Sequence, residues 1–233
     1  MLIRHVVNYS VVFGLTTLSG IAFGETLTDY FPLEDGNLWT YRAVGPGYIL
    51  NTTQTVTGDS VFNGRKTKEL RSSAGPDGAE YAYYTNDEEG IRLHGFFLPT
   101  MGRVILEPPA VIAGKTMDVN ETVESRGRAS FSIFGIGEAS LDYESSSTFQ
   151  GGYENLSVPA GDYETIVLKT SLRIYGKIAG EEFDENTSGV DWYAKYTGIV
   201  QSQLEGEQGK SVLVTTNVRK ADSLAPILDL LLE

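Results

Sequence analysis

The chain has 233 residues, of which 31 are acidic and 18 basic, and its formal net charge at pH 7 is −13. Such a surface repels the phosphate backbone of nucleic acids, so no nucleic-acid partner is expected. Cysteine is absent, which excludes disulfides, thiol catalysis and cysteine-ligated metals. The composition, 41% hydrophobic and 21% charged, is that of an ordinary globular protein.

Residues 1–24 have the layout of a secretory signal peptide. Arg4 precedes the mostly apolar run Val6–Phe23, and the small residues Ala22 and Gly24 form a cleavage site before Glu25. Polar residues and glycines interrupt the run, which makes it short for a membrane span; an uncleaved anchor is the alternative. Residues 25–233 are therefore expected to form a single β-rich domain without a membrane span, in the bacterial periplasm or secreted.

Alternating apolar residues predict antiparallel β-strands over most of the remaining chain. A period of two buries one face of a strand and exposes the other, which is typical of antiparallel rather than parallel sheets. Asn63-Gly64 supplies the positive φ angles of a tight hairpin turn. The clearest strands lie at Leu38–Val44, at Glu164–Tyr175 with Ile166, Leu168, Leu172 and Ile174 on one face, and at Lys210–Arg219 with Val212, Val214, Thr216 and Val218 on one face.

Two further segments shape the predicted fold. Prolines and glycines in residues 99–114 indicate a lobe boundary or a crossing loop. Residues 224–231 carry leucine and isoleucine at helical spacing, with Ser223 as the N-cap, although a frayed apolar tail is the alternative. The predicted fold class is mostly β: a curved antiparallel sheet or half-barrel, with a short C-terminal helix across its open side.

Four stretches resemble recurrent motifs of exported bacterial β-rich proteins of unknown function. An aromatic-Pro-Leu segment leads through a Gly-Asn turn into a Trp-x-Tyr strand at residues 30–42, and Val61–Gly64 fits a following hairpin. A Val-Pro-Ala-Gly turn precedes a long strand at 158–165, and Trp-Tyr-Ala followed by Gly-Ile-Val occurs at 192–200. The chain thereby resembles the half-barrel class typified by the lipoprotein carrier LolA and the lipoprotein LppX.

This resemblance implies an incomplete antiparallel barrel that wraps around helical elements and can hold acyl chains. It includes no catalytic motif, so it assigns no functional residue, and the chain lacks the lipobox cysteine of the lipoprotein members. The aromatic residues of the motifs are expected to be structural, because each large ring fills a large share of a β core.

Motifs for catalysis and metal binding are sparse. His94, the one histidine after the leader, is expected to be a partly exposed strand residue, and no Gly-x-Ser-x-Gly elbow or phosphate-binding loop accompanies it. Asp184–Gly189 has oxygen ligands at EF-hand spacing, but Lys195 stands where calcium requires glutamate. This segment is expected to be a solvated hairpin tip, and whether it binds a cation is left open. The sequence predicts no enzyme, no metal and no cofactor.

Three hypotheses of function remain. The first is a binding module whose curved sheet shelters a hydrophobic small molecule or lipid, with Phe96, Phe97, Phe131 and Phe134 as candidate ligand-binding residues. The second is a structural or interaction protein of the cell envelope without a small ligand. The third is a hydrolase with two carboxylates, for which the sequence offers many acids but no distinguished pair. Protein partners and the oligomeric state are left open.

Overall fold

The computed structural model describes residues 26–73, 78–99, 101–133, 137–207 and 209–218. This part of the chain is almost entirely β, as the alternating sequence pattern predicts, and begins with a short 3₁₀ helix at Leu27–Tyr30. The strands are β1 Leu38–Gly45, β2 Tyr48–Phe62, β3 Arg65–Ser73, β4 Ala79–Asp87, β5 Gly90–Leu98, β6 Gly102–Ala113, β7 Thr122–Ile133, β8 Gly137–Val158, β9 Gly161–Ile178, β10 Glu181–Ala194, β11 Gly198–Leu204 and β12 Lys210–Thr216.

The strands form one closed antiparallel barrel. Each strand pairs with its neighbours in sequence, and β1 also pairs with β12, where Trp39 lies opposite Thr216 and Tyr41 opposite Leu213. The prediction of an open sheet or half-barrel is therefore wrong. An open sheet leaves unpaired N–H and C=O groups on both edge strands, and pairing β1 with β12 satisfies the two edges together.

The predicted C-terminal helix, placed on residues 224–232 with Ser223 as its N-cap, lies outside the described residues, and the closed barrel has no open side for a helix to cover. Within the described residues, no helix has the length and apolar character needed to cross a membrane. The proline-rich segment at 99–114 contributes β6, which pairs with both β5 and β7 in the continuous barrel.

The inward face of β8 follows a period of two, whereas β9 follows the predicted period only in part: residues 165–168 are all buried, and Leu172 and Ile174 are half-buried. The odd-numbered residues of β8 from Leu141 to Phe149 are buried. The register places Phe149 opposite Leu168 of β9, and Ser145 opposite Leu172. Ile166 and Leu168 are fully buried, as the pattern predicts.

On β12 the predicted period is interrupted by a β-bulge. The register with β1 shifts between Thr40 and Tyr41, so Val214 has no partner of its own on that strand. An extra residue of this kind reverses which side chains face inward. Leu213 is consequently the fully buried residue of this strand, whereas Val212 and Val214, which the alternation places on the buried face, are only half-buried.

The segment Leu27–Leu33, here called the N-terminal plug, closes one end of the barrel. The Leu27 amide donates to Lys115 O at 2.8 Å, in the loop between β6 and β7. Asn86, next to the turn between β4 and β5, donates through Nδ2 to Thr28 O at 2.9 Å and to Phe31 O at 2.8 Å. Both connections lie at the end of the barrel where β1 begins, so the plug packs across that end, with four of its seven residues buried.

A second apolar cluster occupies the barrel toward its other end. Its members come from strands β5 to β10 and pack against the C-terminal half of β9. The fully buried residues are Val104, Leu106, Ala110, Ala129, Phe131, Leu141, Tyr143 and Ile178. Side chains therefore fill the interior from both ends. The space between the N-terminal plug and the second apolar cluster is the candidate functional site.

We expect Asn86→Ala to destabilise the protein by about 2 kcal/mol, because two backbone carbonyls of the plug lose their hydrogen-bond donor. Urea unfolding measures the change. The matched control is Asn186→Ala, since Asn186 is exposed and accepts one hydrogen bond from Ser171 at 3.1 Å. Equal losses for the two variants would contradict the role assigned to the plug.

Candidate functional site: the barrel cavity

A cavity of about 360 Å³ lies inside the barrel, adjacent to the N-terminal plug. Its lining includes a group of aromatic side chains, here called the aromatic part, and a group of hydroxyl-bearing side chains, here called the hydroxyl part, together with one carboxyl group. The aromatic residues are Phe31, Trp39, Tyr41, Tyr84 and Tyr193; the polar residues include Ser145, Ser147, Thr170, Thr187 and Asp191.

The aromatic part is held in place by hydrogen bonds to the chain around the β10–β11 turn. Trp39 Nε1 donates to Thr197 O at 2.6 Å, and Tyr41 OH donates to Ile199 O at 3.0 Å. Gly198, next to the indole of Trp39, has a φ of +94°, a backbone conformation that favours glycine and lets the chain turn there. These contacts fix the rings against the strand that follows the turn.

Phe31 of the plug joins the aromatic residues of opposite walls. Its ring centroid is 5.0 Å from that of Tyr84 on β4, in an edge-on arrangement, and 6.4 Å from that of Tyr193 on β10. Such tilted pairs stabilise each other through the ring quadrupoles. The plug therefore forms an aromatic floor for the cavity as well as closing the barrel.

The hydroxyl part contains two buried oxygen atoms that the protein leaves without a partner. Ser145 and Ser147 retain 9% and 1% exposure, and their Oγ atoms make no hydrogen bond within the described residues. They lie on the inward face of β8, opposite Leu172 and Thr170 of β9. A buried hydroxyl without a hydrogen bond costs about 1–3 kcal/mol, so these oxygens disfavour the fold unless something in the cavity bonds to them.

Asp191 places a carboxyl group on the same cavity. Ser202, its register partner on β11, donates through Oγ to Asp191 Oδ1. Burial raises the pKa of this carboxyl from the ordinary 3.8 to about 6, and the Ser202 hydrogen bond only partly opposes that rise. Within the described residues no lysine or arginine forms an ion pair with Asp191, so its charge is not compensated there.

Three phenols share the enclosed environment of this carboxyl group. Burial and, to a smaller extent, the negative charge of Asp191 raise the pKa of Tyr84 to about 12. The same two causes raise the pKa values of Tyr41 and Tyr193 above their ordinary value. All three tyrosines are therefore neutral near pH 7 and present hydroxyl groups and ring faces, not charge.

The four phenylalanines predicted as ligand-binding residues lie elsewhere, as far as they are described. Phe131 is buried in the second apolar cluster, and the half-buried Phe96 packs against it. Phe97 contacts the ring of Tyr81, with centroids 6.0 Å apart. None of these three lines the cavity. Phe134 lies outside the described residues, and ligand binding by this set stays a prediction.

Sequence reasoning found part of the cavity wall but gave it another role. Trp39, Tyr41 and Tyr193 belong to the motifs that the sequence analysis assigned to the core; they are indeed buried, and they also face the cavity. Asp191 and Ser147 were missed. Their signal is a polar residue inside a strand whose neighbours are buried, as in Val190-Asp191-Trp192 and in the serine-rich middle of β8.

Two other sequence expectations are corrected here. Asp184–Gly189 is not a hairpin tip: it lies within β10, where Asp184 pairs with Arg173 at 2.6 Å. The described residues contain no group of three or more residues placed to hold a metal ion. His94 is buried, not partly exposed, and its Nε2 is 3.1 Å from Thr85 Oγ1. Burial, with the nearby Arg65 and Arg92, lowers the pKa of His94.

The fold and cavity together define a closed antiparallel barrel of twelve strands with an interior space between a plug and an apolar cluster. No model of a known protein family matches the sequence. No curated protein matches it either.

Two solved structures are similar to this chain. One is a protein from Parabacteroides distasonis described as a lipoprotein, at 13% identity and a TM-score of 0.44, covering 81% of this chain and 98% of that one. The other is a protein from Bacteroides fragilis described as exported and as having a YmcC-like fold, at 12% identity and a TM-score of 0.39, covering 80% and 98%. Neither is described as a LolA-type carrier, so that part of the resemblance is not confirmed. The likeness is distant, and nothing about the function of this chain follows from it.

We expect Asp191→Asn to stabilise the ligand-free protein, refolded after denaturation, at pH 7.5. Because burial raises the pKa of Asp191 to about 6, the folded state binds this proton more tightly than the unfolded chain. The contribution of Asp191 to the free energy of unfolding therefore falls as pH rises from about 4 to about 6. Above pH 7 the variant should exceed the wild type by about 2–3 kcal/mol, and below pH 4 the two should converge. Urea unfolding at several pH values measures this difference.

Taking the difference between the two proteins also removes the contribution of His94, whose lowered pKa favours the fold at higher pH and so has the opposite slope. Asp184→Asn is the matched control, because Asp184 is an exposed residue of the same strand whose pKa is lowered by Arg173. This control should not gain stability at pH 7.5. A wild type more stable than Asp191→Asn at that pH would show that Asp191 is compensated.

Proposed function

We propose that this protein binds a small amphipathic molecule inside the barrel. The observation that carries the proposal is the convergence of two buried hydroxyls without partners among the described residues, Ser145 Oγ and Ser147 Oγ, on a cavity also lined by aromatic side chains. Ligand sites have this composition: mostly apolar walls with a few convergent polar groups that fix the orientation of the ligand.

The size and lining of the cavity favour a compact ligand over a long acyl chain. A volume of about 360 Å³ is at the low end of the roughly 300–1,000 Å³ typical of small-molecule sites. An acyl chain would also leave Asp191, Ser145 and Ser147 buried against methylene groups, which compensate neither a carboxylate nor a hydroxyl. A ligand with an apolar body and polar ends matches both parts of the wall.

Binding, without catalysis, is the activity that the lining residues support. Asp191 is the one carboxyl group among the described residues lining the cavity, and hydrolysis by two carboxylates requires a second at a distance of about 5–10 Å. The leader-like composition of residues 1–24 supports a role outside the cytoplasm. The proposal is thus an exported binding protein for a small molecule.

Two measurements test cavity binding. Native mass spectrometry of the purified protein should show a bound mass that is lost on denaturation. The neutral fluorophore N-phenyl-1-naphthylamine should bind with increased emission. Ser145→Leu should weaken that binding by at least about tenfold, because the larger side chain occupies the cavity; a tenfold loss corresponds to about 1.4 kcal/mol.

The matched control is Ser140→Leu, on the same strand. Ser140 is exposed, and its hydroxyl accepts a hydrogen bond from Arg128 at 3.2 Å on the outer face. Fluorophore binding to this variant should equal that of the wild type. Equal binding by both variants would place the fluorophore outside the cavity, and absence of both a bound mass and fluorophore binding would refute the proposed function.

A further inference from the structure

We propose that the ligand is a small organic cation, an ammonium compound with an apolar body, whose charge is met by Asp191 and by the ring faces of Tyr41, Tyr84 and Tyr193. The inference rests on the proposed function and specifies its ligand class. It follows from what the cavity contains and from what the surrounding protein leaves uncompensated.

The cavity holds a carboxyl group but no basic side chain among the described residues that line it. Asp191 receives a hydrogen bond from Ser202 on one carboxyl oxygen, and no lysine, arginine or histidine is among the described residues that line the cavity. Two carboxylates on the outer surface do have a basic partner: Asp184 pairs with Arg173, and Asp142 with Arg128, both at 2.6 Å. Buried charges in proteins are normally paired, because an isolated one is strongly disfavoured. A cationic ligand would supply the missing partner.

Aromatic side chains line the cavity together with this carboxyl group. Tyr41, Tyr84 and Tyr193 line the same cavity as Asp191, and Tyr193 follows Asp191 by two residues on β10. Phe31 bridges the rings of Tyr84 and Tyr193 across the floor. Aromatic faces carry negative potential and attract an ammonium group within about 6 Å of a ring centroid. Carboxylate and rings therefore favour the same ligand charge.

Two serine hydroxyls away from the carboxyl group would orient the ligand. Ser145 Oγ and Ser147 Oγ lie on β8, two strands away from Asp191 on β10 in the barrel. Hydroxyls both donate and accept hydrogen bonds, so they can receive a polar group at the other end of the ligand. An anionic ligand such as a fatty acid would instead bring a second negative charge into the cavity beside Asp191, which the low dielectric of the interior disfavours.

Isothermal titration calorimetry at pH 7.5 and about 0.15 M salt tests the inference with three probes of similar shape: 2-phenylethylammonium, 2-phenylethanol and phenylacetate. The wild type should bind the ammonium probe at least about tenfold more tightly than the alcohol, and phenylacetate most weakly. In Asp191→Asn the ratio of ammonium to alcohol affinity should fall by at least about fivefold, and the preference that remains is that of the ring faces. Circular dichroism confirms that each variant is folded.

Asp184→Asn is again the matched control, because it removes the same charge from the same strand outside the cavity. Net charge alone, at −13 for the chain, attracts any cation, and both variants reduce that attraction equally. The control should keep the wild-type preference for the ammonium probe. A preference that Asp191→Asn leaves undiminished, or that falls equally in both variants, would overturn the inference.

The outcomes separate this inference from the proposed function. If the alcohol or phenylacetate binds as tightly as the ammonium probe while N-phenyl-1-naphthylamine still binds in the cavity, cavity binding stands and the cationic ligand is refuted. A co-purified ligand without a basic nitrogen would also refute the cationic ligand and leave cavity binding in place. If none of the probes binds and no bound mass is found, both proposals are refuted.

Discussion

Pairing between β1 and β12 is the interaction on which the rest of the structure depends. Trp39 and Thr216, which it brings together, are nearly the full described chain apart, and the pairing converts a meander into a barrel without edges. A closed sheet of twelve strands encloses more space than the side chains of its inward faces can fill, because barrel diameter grows with strand number. The plug and the second apolar cluster reduce that space from the two ends, and the cavity is what they leave.

The sequence predicts the features of the fold that depend on residues close together in the chain, and it does not predict those that depend on contacts between distant residues. Alternation within β8 and the Asn63-Gly64 turn are local, and both appear as predicted; Asn63 and Gly64 have φ angles of +47° and +74°. The alternation predicted for β9 holds only in part, since residues 165–168 are all buried. Closure of the barrel could not be predicted from the sequence, because no sequence pattern in β1 or β12 indicates that these two strands pair. The bulge at Val214 was equally invisible, and it alone moved the buried position of β12 to Leu213.

The candidate site shows a different limit. Hydrophobicity directed the sequence analysis to phenylalanines, and the described ones pack within the barrel wall or the second cluster. The cavity was found instead where polar residues interrupt buried strands, at Asp191 and at Ser145 and Ser147. A polar residue in an apolar strand has two interpretations in sequence, a solvated face or a functional group, and only the three-dimensional register decides between them. The motif aromatics Trp39 and Tyr193 were identified as core, and closure is what turns them toward a shared space.

The cavity also concentrates what is energetically unfavourable in this interior. Among the described residues, Asp191 has no counter-charge, and Ser145 and Ser147 have no hydrogen-bond partners. Elsewhere the picture is mixed: Ser125 Oγ accepts a hydrogen bond from the Val111 amide at 2.9 Å, whereas Asn86 Oδ1 and Arg92 Nε are also buried without a partner among the described residues. A barrel selected for stability alone would place apolar side chains of similar size at the three uncompensated positions, since such replacements are commonly neutral or stabilising. Asp191, Ser145 and Ser147 meet at one space beside aromatic side chains. A ligand that pairs with the carboxylate and bonds to the two hydroxyls would therefore stabilise the folded protein.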